Sequence, residues 1–146
     1  MAYTPVPVTA DALGDKLFQN IHRLVSEYAV ANSYITVQDS EVSVEQYPVY
    51  VIFIPETVRN TSDMRSDNQR ITVSVQIDFD AIRTQGYRQT TLMYDAFEAG
   101  LRSENANLST ARLRYVSSST LSNEPIDVNG QQVFSRAEEF TFEVLL

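Results

Sequence analysis

The hydrophobic pattern begins with a helical repeat near the amino terminus. Apolar residues recur every three or four positions and polar residues fill the gaps between them; the apolar set is Leu13, Leu17, Ile21, Leu24, Val25 and Tyr28. Residues at this spacing share one face of a helix, so an amphipathic helix is predicted from about Ala12. Thr9 is expected to be its N-cap. Two prolines in the preceding segment predict an extended amino-terminal arm over residues 1–8.

Strand patterns follow in the middle of the chain. Ile35 and Val37 indicate a short strand, and the continuous apolar run at 49–54 predicts a strand that is buried on both faces. Residues 70–80 alternate strictly between apolar and polar types, which predicts a strand with one face toward a core. The polar residues of its other face, expected to meet water or a partner, are Thr72, Ser74, Gln76, Asp78 and Asp80.

The carboxyl-terminal half contains a second helical pattern and further strands. The helix is predicted from about Arg88 to Ser103, after a break at Gly86. Strand character resumes at 111–121, and a loop is expected at 122–130 because this segment contains a proline and an Asn-Gly turn signal. The last strand is predicted at about 132–146, where Phe140, Phe142, Val144 and Leu146 face the core.

The order of these elements is helix, three strands, helix, two strands. Two helices are too few for a wound parallel sheet, so the order predicts an α+β fold with a mostly antiparallel or mixed sheet of about five strands. Both helices are expected on one face of that sheet. A length of 146 residues fits a single domain, residues 1–146.

A long polar connection separates the second and third predicted strands. Connections of this length are uncommon in compact domains and are usually functional or disordered. This one lacks the Gly and Ser residues that are typical of flexible linkers. We therefore expect a projecting loop or hairpin over residues 55–70 that contacts a neighbouring molecule. The residues expected at this contact are Arg59, Asp63, Met64, Arg65, Asp67 and Arg70.

Composition narrows the possible functions. The chain has 19 acidic and 11 basic side chains and a net charge of -8, which argues against a protein that grips nucleic-acid phosphates. The same charge suits a surface past which DNA slides without binding. The absence of cysteine excludes disulfides and thiolate metal sites. No apolar run approaches the ~20 residues that a membrane span needs, so no membrane association is expected.

Few residues in the sequence offer chemistry. His22 is the only histidine and is expected to be a partly buried structural residue, since one histidine cannot build a histidine-rich metal site. Asp78 and Asp80 share one strand face and could bind a divalent cation or share a proton, but the favoured interpretation is a solvated strand face. Glycine-rich phosphate loops and nucleophile motifs do not occur. We therefore expect no enzyme activity, cofactor or metal.

Several segments together resemble a known family. These are the first helix, the strand PVYVIFIPE, the long connection, the strand ITVSVQIDFDA, the segment GYRQTTLMYDAFEAGLR and the terminal FTFEVLL. In order and hydrophobic character they are similar to the tail terminator, or tail completion, proteins of long-tailed bacteriophages. The resemblance covers the chain from about Asp11 to Leu146 and involves no catalytic residue.

The resemblance implies a structural role in the virion. It implies an α+β subunit that is assembled in the host cytoplasm into a ring, commonly a hexamer, at the end of the tail tube. Such a ring stops tube polymerisation and joins the tail to the head. Its partners would be further copies of itself, the tail tube protein and the head-tail connector protein, and DNA would pass through it without specific binding.

Two alternatives stay open from the sequence. One is a different phage neck protein, such as a head-tail adaptor or a tail-tube subunit. The other is a small α+β ligand-binding domain or enzyme, in which Asp78, Asp80 or His22 would line a common pocket.

Overall fold

The computed structural model describes residues 4–9, 12–30, 33–37, 47–53, 60–63, 70–82, 84, 86–128 and 130–145. Its helices are α1 (Leu13–Tyr28), α2 (Gly86–Ser103) and the short α3 (Asn105–Leu108), which continues into a 3₁₀ turn at Ser109–Ala111. Its strands are β1 (Tyr34–Val37), β2 (Val49–Phe53), β3 (Asn60–Asp63), β4 (Arg70–Ile82), β5 (Leu113–Val128) and β6 (Gln131–Leu145).

Strand β4 is the centre of a mixed sheet. The strand order is β1-β2-β4-β6-β5, and β3 pairs with the first residues of β4 beside β2. Strands β1 and β2 are parallel, whereas every other described pair is antiparallel. β4 and β6 pair without interruption from Arg70↔Leu145 to Ile82↔Val133. The predicted α+β class with a mixed sheet is confirmed, and the described residues add one strand, β3, and one short helix, α3.

Helices α1 and α2 pack on one face of this sheet. The alternating apolar residues of β4 form a single buried cluster with the apolar stripe of α1 and with Met93, Phe97 and Leu101 of α2. The rings of Phe97 and Phe140 meet edge to face, with centroids 5.1 Å apart, at the middle of the cluster. Burying each such aromatic side chain contributes roughly 1.5–3 kcal/mol. The sequence periodicity therefore identified the core correctly.

The opposite face of the sheet carries a smaller apolar cluster. It consists of Tyr47, Val49, Val51 and Val133, with Ile82 packed against it. Residues 49 and 51 alternate with Tyr50 and Ile52, which face the helices, so β2 is buried on both of its faces as its continuous apolar run predicted. This cluster lies beside the polar residues of β4 and limits how far they are exposed.

The starts of both long helices differ from the sequence prediction. Helix α1 begins at Leu13 with Ala12 as its N-cap, and Thr9 contributes only its carbonyl oxygen, which accepts a bond from the Ala12 N–H at 3.3 Å. Thr9 lies too far before the first helical turn to cap it. Helix α2 begins at Gly86 itself and does not follow it. A glycine often interrupts a helix, but it is tolerated in the first turn.

The segment before α1 is held to that helix by one buried side chain. Asn20 donates from Nδ2 to the Val6 carbonyl at 2.8 Å and accepts the Val6 N–H at 2.9 Å. Val8 is buried, and its N–H donates to the carbonyl of Ala111. The described part of the predicted amino-terminal arm therefore packs on the body of its own chain.

None of the helices in the described part of the chain is long and apolar enough to span a bilayer.

Candidate interaction surface

The interface residues expected from the sequence fall mostly outside the described residues: Arg59, Met64, Arg65 and Asp67 do so. Asp63 is the last residue of β3 and pairs in register with Arg70, the first residue of β4. The fold thus brings these two positions together on neighbouring strands. The described part of the 55–70 segment therefore consists of strand β3, which pairs with the first residues of β4, and of Arg70, which begins β4.

The segment predicted as a loop at 122–130 is instead part of a long hairpin. Strand β5 continues to Val128, and the pair Val128↔Gln131 closes a turn in which Gly130 has a φ of 80°. The prediction failed because Pro125 was taken as a strand breaker. β5 is the outermost strand beside β6, and an edge strand tolerates a residue that cannot donate to the ladder.

The edge strand β5 presents apolar side chains to solvent. Its pairing with β6 is interrupted twice, and each interruption leaves one residue of β5 without a partner: Val116 and Leu121. Their side chains are 45% and 51% exposed, and Ile126, further along, is 38% exposed. Bulges at sheet edges re-aim side chains and disrupt further backbone pairing. The outer side of β5 is therefore shaped for side-chain contacts more than for the addition of another strand.

A shallow cavity lies at the end of this hairpin that is away from the turn, where β5 begins and β6 ends. It has a volume of about 260 Å³ and is lined by Ser109, Arg112, Leu113, Arg114, Glu143 and Leu145. The Arg114 guanidinium donates to Glu143 at 2.5 Å, and Leu145 is 48% exposed. Arg112 follows the 3₁₀ turn with a φ of 65° and makes no ion pair with the described residues. This end of the hairpin is basic and partly apolar.

Asp78 and Asp80 do share one face of β4, but that face is not solvated there. Asp80 is 8% exposed, and its Oδ1 accepts a 2.6 Å bond from the Ser135 hydroxyl. Burial raises the pKa of Asp80 to about 7; the bond from Ser135 opposes this rise and the nearby Asp78 carboxylate adds to it. Burial also raises the pKa of Asp78, whose Oδ1 accepts a bond from Gln76. The expectation of a solvated strand face was wrong for Asp80, which lies between Val49 of β2 and Ser135 of β6, whereas Asp78 is half-buried between Val51 and Ala137.

A buried ion pair beneath α2 was not identified from the sequence. Glu138 is 1% exposed, and its Oε1 accepts bonds from Arg136 and from Thr120, both at 2.7 Å. The Arg136 guanidinium also lies 4.1 Å from the centre of the Tyr94 ring. Positions 136 and 138 are two apart on β6, so their side chains share one face of the strand. Opposite charges at this spacing were the signal in the sequence from which the pair could have been predicted.

A second polar cluster surrounds Glu98 on the same side of the sheet. Its carboxylate accepts bonds from Arg102 and from the hydroxyls of Tyr115, Tyr94 and Ser118, at distances from 2.9 to 3.3 Å. The Arg102 bond is the main reason that the pKa of Glu98 is lowered. Burial raises the pKa of Tyr115 to about 12, so its phenol stays protonated and donates. The cluster ties α2 to β5.

The remaining candidates for chemistry are not brought together. His22 is partly buried on α1, where its ring packs 5.7 Å from that of Phe18, as the sequence predicted. It lies on the helical side of the sheet, whereas Asp78 and Asp80 lie on the other side. Three further acidic residues that are close in sequence, Asp39, Glu41 and Glu45, lie outside the described residues. Among the residues with described positions, no group of three or more His, Asp or Glu side chains has the arrangement of a metal site.

Comparison with protein-family models finds no match to this chain, and a search of curated proteins finds none either.

Proposed function

We propose that this chain is a virion structural protein that forms a ring at the end of a phage tail tube. The ring stops tube polymerisation and joins the tail to the head. The proposal begins from the resemblance in element order and hydrophobic character to tail terminator proteins. The observation that carries it furthest is the outer side of β5, where Val116, Leu121 and Ile126 expose aliphatic side chains.

Exposed aliphatic residues in a row favour a contact with another protein. Scattered apolar residues are normal on a surface, but these three recur every five positions along one edge strand. The two bulges oppose open-ended strand addition, which would give fibres of indefinite length. A surface that binds through side chains and does not extend the sheet suits a closed assembly with a fixed number of subunits.

The acidic balance is compatible with a ring through which DNA passes. A net charge of -8 gives no general attraction for phosphates, so DNA can move through the lumen without being held. We assign the 55–70 segment as the element that reaches the neighbouring subunit or the tube. In this assignment the contact residues are Arg59, Asp63, Met64, Arg65, Asp67 and Arg70.

The most direct functional test is arrest of tube growth. Purified chain is added to polymerising tail-tube subunits of the same phage, and tube lengths and tube ends are measured by electron microscopy. A terminator gives short tubes with extra density at one end. Unchanged tube lengths with bare ends would contradict the proposal, and incorporation along the whole tube would instead indicate a tube subunit.

A matched pair of variants connects this test to the surface on β5. The double change Val116→Ser and Leu121→Ser removes apolar contacts at two exposed positions and should abolish arrest without unfolding the chain. The control is Tyr87→Ser, since Tyr87 is 66% exposed but lies on α2. Equal activity of the two variants would remove β5 from the proposed interface.

A further inference from the structure

The two ends of the β5–β6 hairpin have opposite charge. At one end, Arg112, Arg114 and Glu143 line the 260 Å³ cavity together with the exposed Leu145, which leaves this end with a net positive charge; we call this the cradle. At the other end, Glu124 and Asp127 are exposed beside the exposed Ile126; we call this the tip. Each end therefore combines charge with an aliphatic side chain, and the charges are complementary.

The cradle and the tip cannot meet within one chain. Glu124 lies ten positions after Arg114 on β5, and a strand rises about 3.3 Å per residue, so the two residues lie roughly 30 Å apart. Attraction over that distance is screened by physiological salt. A contact between them requires a second copy.

The charges at the two ends are not neutralised equally. Arg114 is paired with Glu143, whereas Arg112 has no ion pair with any described residue. At the tip, the Asp127 carboxylate accepts the Gly130 N–H, whereas Glu124 makes no bond with any described side chain. Arg112 and Glu124 are thus the charges at each end that are most available to a partner.

The cradle has room for an aliphatic side chain. A cavity of roughly 150 Å³ is enough to hold benzene, and the cradle has about 260 Å³ with Leu113 and Leu145 in its lining. Ile126 lies two residues from Glu124 on β5, so the two side chains emerge on the same side of the strand. An isoleucine could enter the cavity while Glu124 reaches Arg112 at its rim.

We propose that the tip of one copy docks in the cradle of the next, with Ile126 in the cavity and Glu124 paired with Arg112. The inference rests on the ring assembly proposed above and names the contact that builds it. Such a contact is head-to-tail, because each copy uses two different surfaces. Repeated by rotation, it closes into a ring in which every tip and every cradle is occupied.

The test uses two single charge reversals, Arg112→Glu and Glu124→Arg, in the full-length chain. Alone, each variant places like charges at the contact and should weaken self-association at least tenfold by sedimentation velocity. Mixed in equal amounts, the two variants should associate again in alternating order, since each cradle then meets a tip of opposite charge. The double variant should also recover self-association.

Two controls keep the test decisive. Asp95→Arg makes the same change of charge on an exposed residue of α2 and should leave association unchanged. Circular dichroism and thermal unfolding identify a variant that fails to fold. Glu124 is exposed on an edge strand, so we expect Glu124→Arg to leave the fold intact. Association of the wild type should weaken as salt rises from about 50 to 500 mM.

The outcomes separate this contact from the proposed function. Reversals that associate like the wild type, or that are not rescued by mixing, overturn the contact and leave the ring proposal standing on other surfaces. A wild type that stays monomeric at every concentration overturns the contact as well. Rings that form through this contact but do not arrest tubes would contradict the terminator role while the contact stands.

Discussion

The Ser135 hydroxyl donates a 2.6 Å hydrogen bond to Oδ1 of Asp80 across the paired strands β4 and β6. The pair lies on the face of the sheet away from the helices, beside Val49 and Val133, where Asp80 is almost completely buried. One neutral donor does not replace the water that a carboxylate loses on burial. The pKa of Asp80 therefore rises to about 7, mainly because of burial.

Asp80 should make the stability of the fold depend on pH. Its pKa rises from 3.8 in the unfolded chain to about 7 in the folded one, so the folded state binds the extra proton between these values. The free energy of unfolding should therefore fall as pH rises through this window, by at most about 4 kcal/mol. Below pH 3.8 both states are protonated, and the effect disappears.

The change Asp80→Asn removes this titration and keeps an acceptor for Ser135. We expect the variant to be more stable than the wild type by about 1–4 kcal/mol at pH 8, and the difference to shrink as the pH falls toward 4. Urea unfolding at several pH values measures it, with Asp95→Asn on the exposed face of α2 as the control. A variant whose stability parallels that of the wild type across this range would show that Asp80 is ionised in the fold.

The buried pair of Arg136 and Glu138 should be essential to stability. Replacing Arg136 by Met leaves the Glu138 carboxylate buried with only Thr120 as a donor. Removing one member of a buried ion pair typically costs about 3–5 kcal/mol, and a loss at the lower end of that range is expected here. Chemical denaturation gives the difference in unfolding free energy.

An exposed pair on α2 supplies the matched control. Arg102 is bonded to Glu98 at 2.9 Å, but its side chain is 67% exposed. Arg102→Met should therefore cost much less stability than Arg136→Met. If the two Arg→Met variants lose equal stability, burial does not increase the contribution of the Arg136–Glu138 pair to stability. Replacing Glu138 by Leu together with Arg136→Met should recover part of the loss.

The contact between α1 and α2 depends on the absence of a side chain at Gly100. The Tyr28 ring lies against this residue, and the Tyr28 hydroxyl donates to Glu104 at 2.7 Å, which limits how far the ring can move. Gly100→Ala should destabilise the fold by about 1–3 kcal/mol through overlap with that ring. Gly14→Ala is the control, because the space around Gly14 is open and alanine favours a helix. Thermal unfolding should show a loss for the first variant and a small gain for the second.

The parts of the fold that the sequence predicted are those controlled by local periodicity. The stripe of α1 and the alternation of β4 each bury one face whatever the topology, so both could be identified without knowing their neighbours. Pro125 was misinterpreted because its effect depends on whether its strand is an edge strand. That position in the sheet is set by contacts far apart in the chain.

The candidate surface was less predictable than the core. Val116 and Leu121 are exposed because they occupy bulges, and a bulge is visible only once the register of β5 against β6 is known. The burial of Glu138 depends on Thr120 from another strand. The hairpin places the charges of the cradle and of the tip at opposite ends of β5. The sequence had predicted a loop at 122–130, so this arrangement was not predicted.

Closure of this chain into a ring can be measured from its mass in solution. Size-exclusion chromatography with multi-angle light scattering over a concentration series, followed by negative-stain imaging, gives both the mass and the shape. For the ring assembly we expect a discrete species of about six copies that appears as closed rings, with no larger species at higher concentration. A chain that stays monomeric at every concentration, or that grows into open filaments, would contradict it.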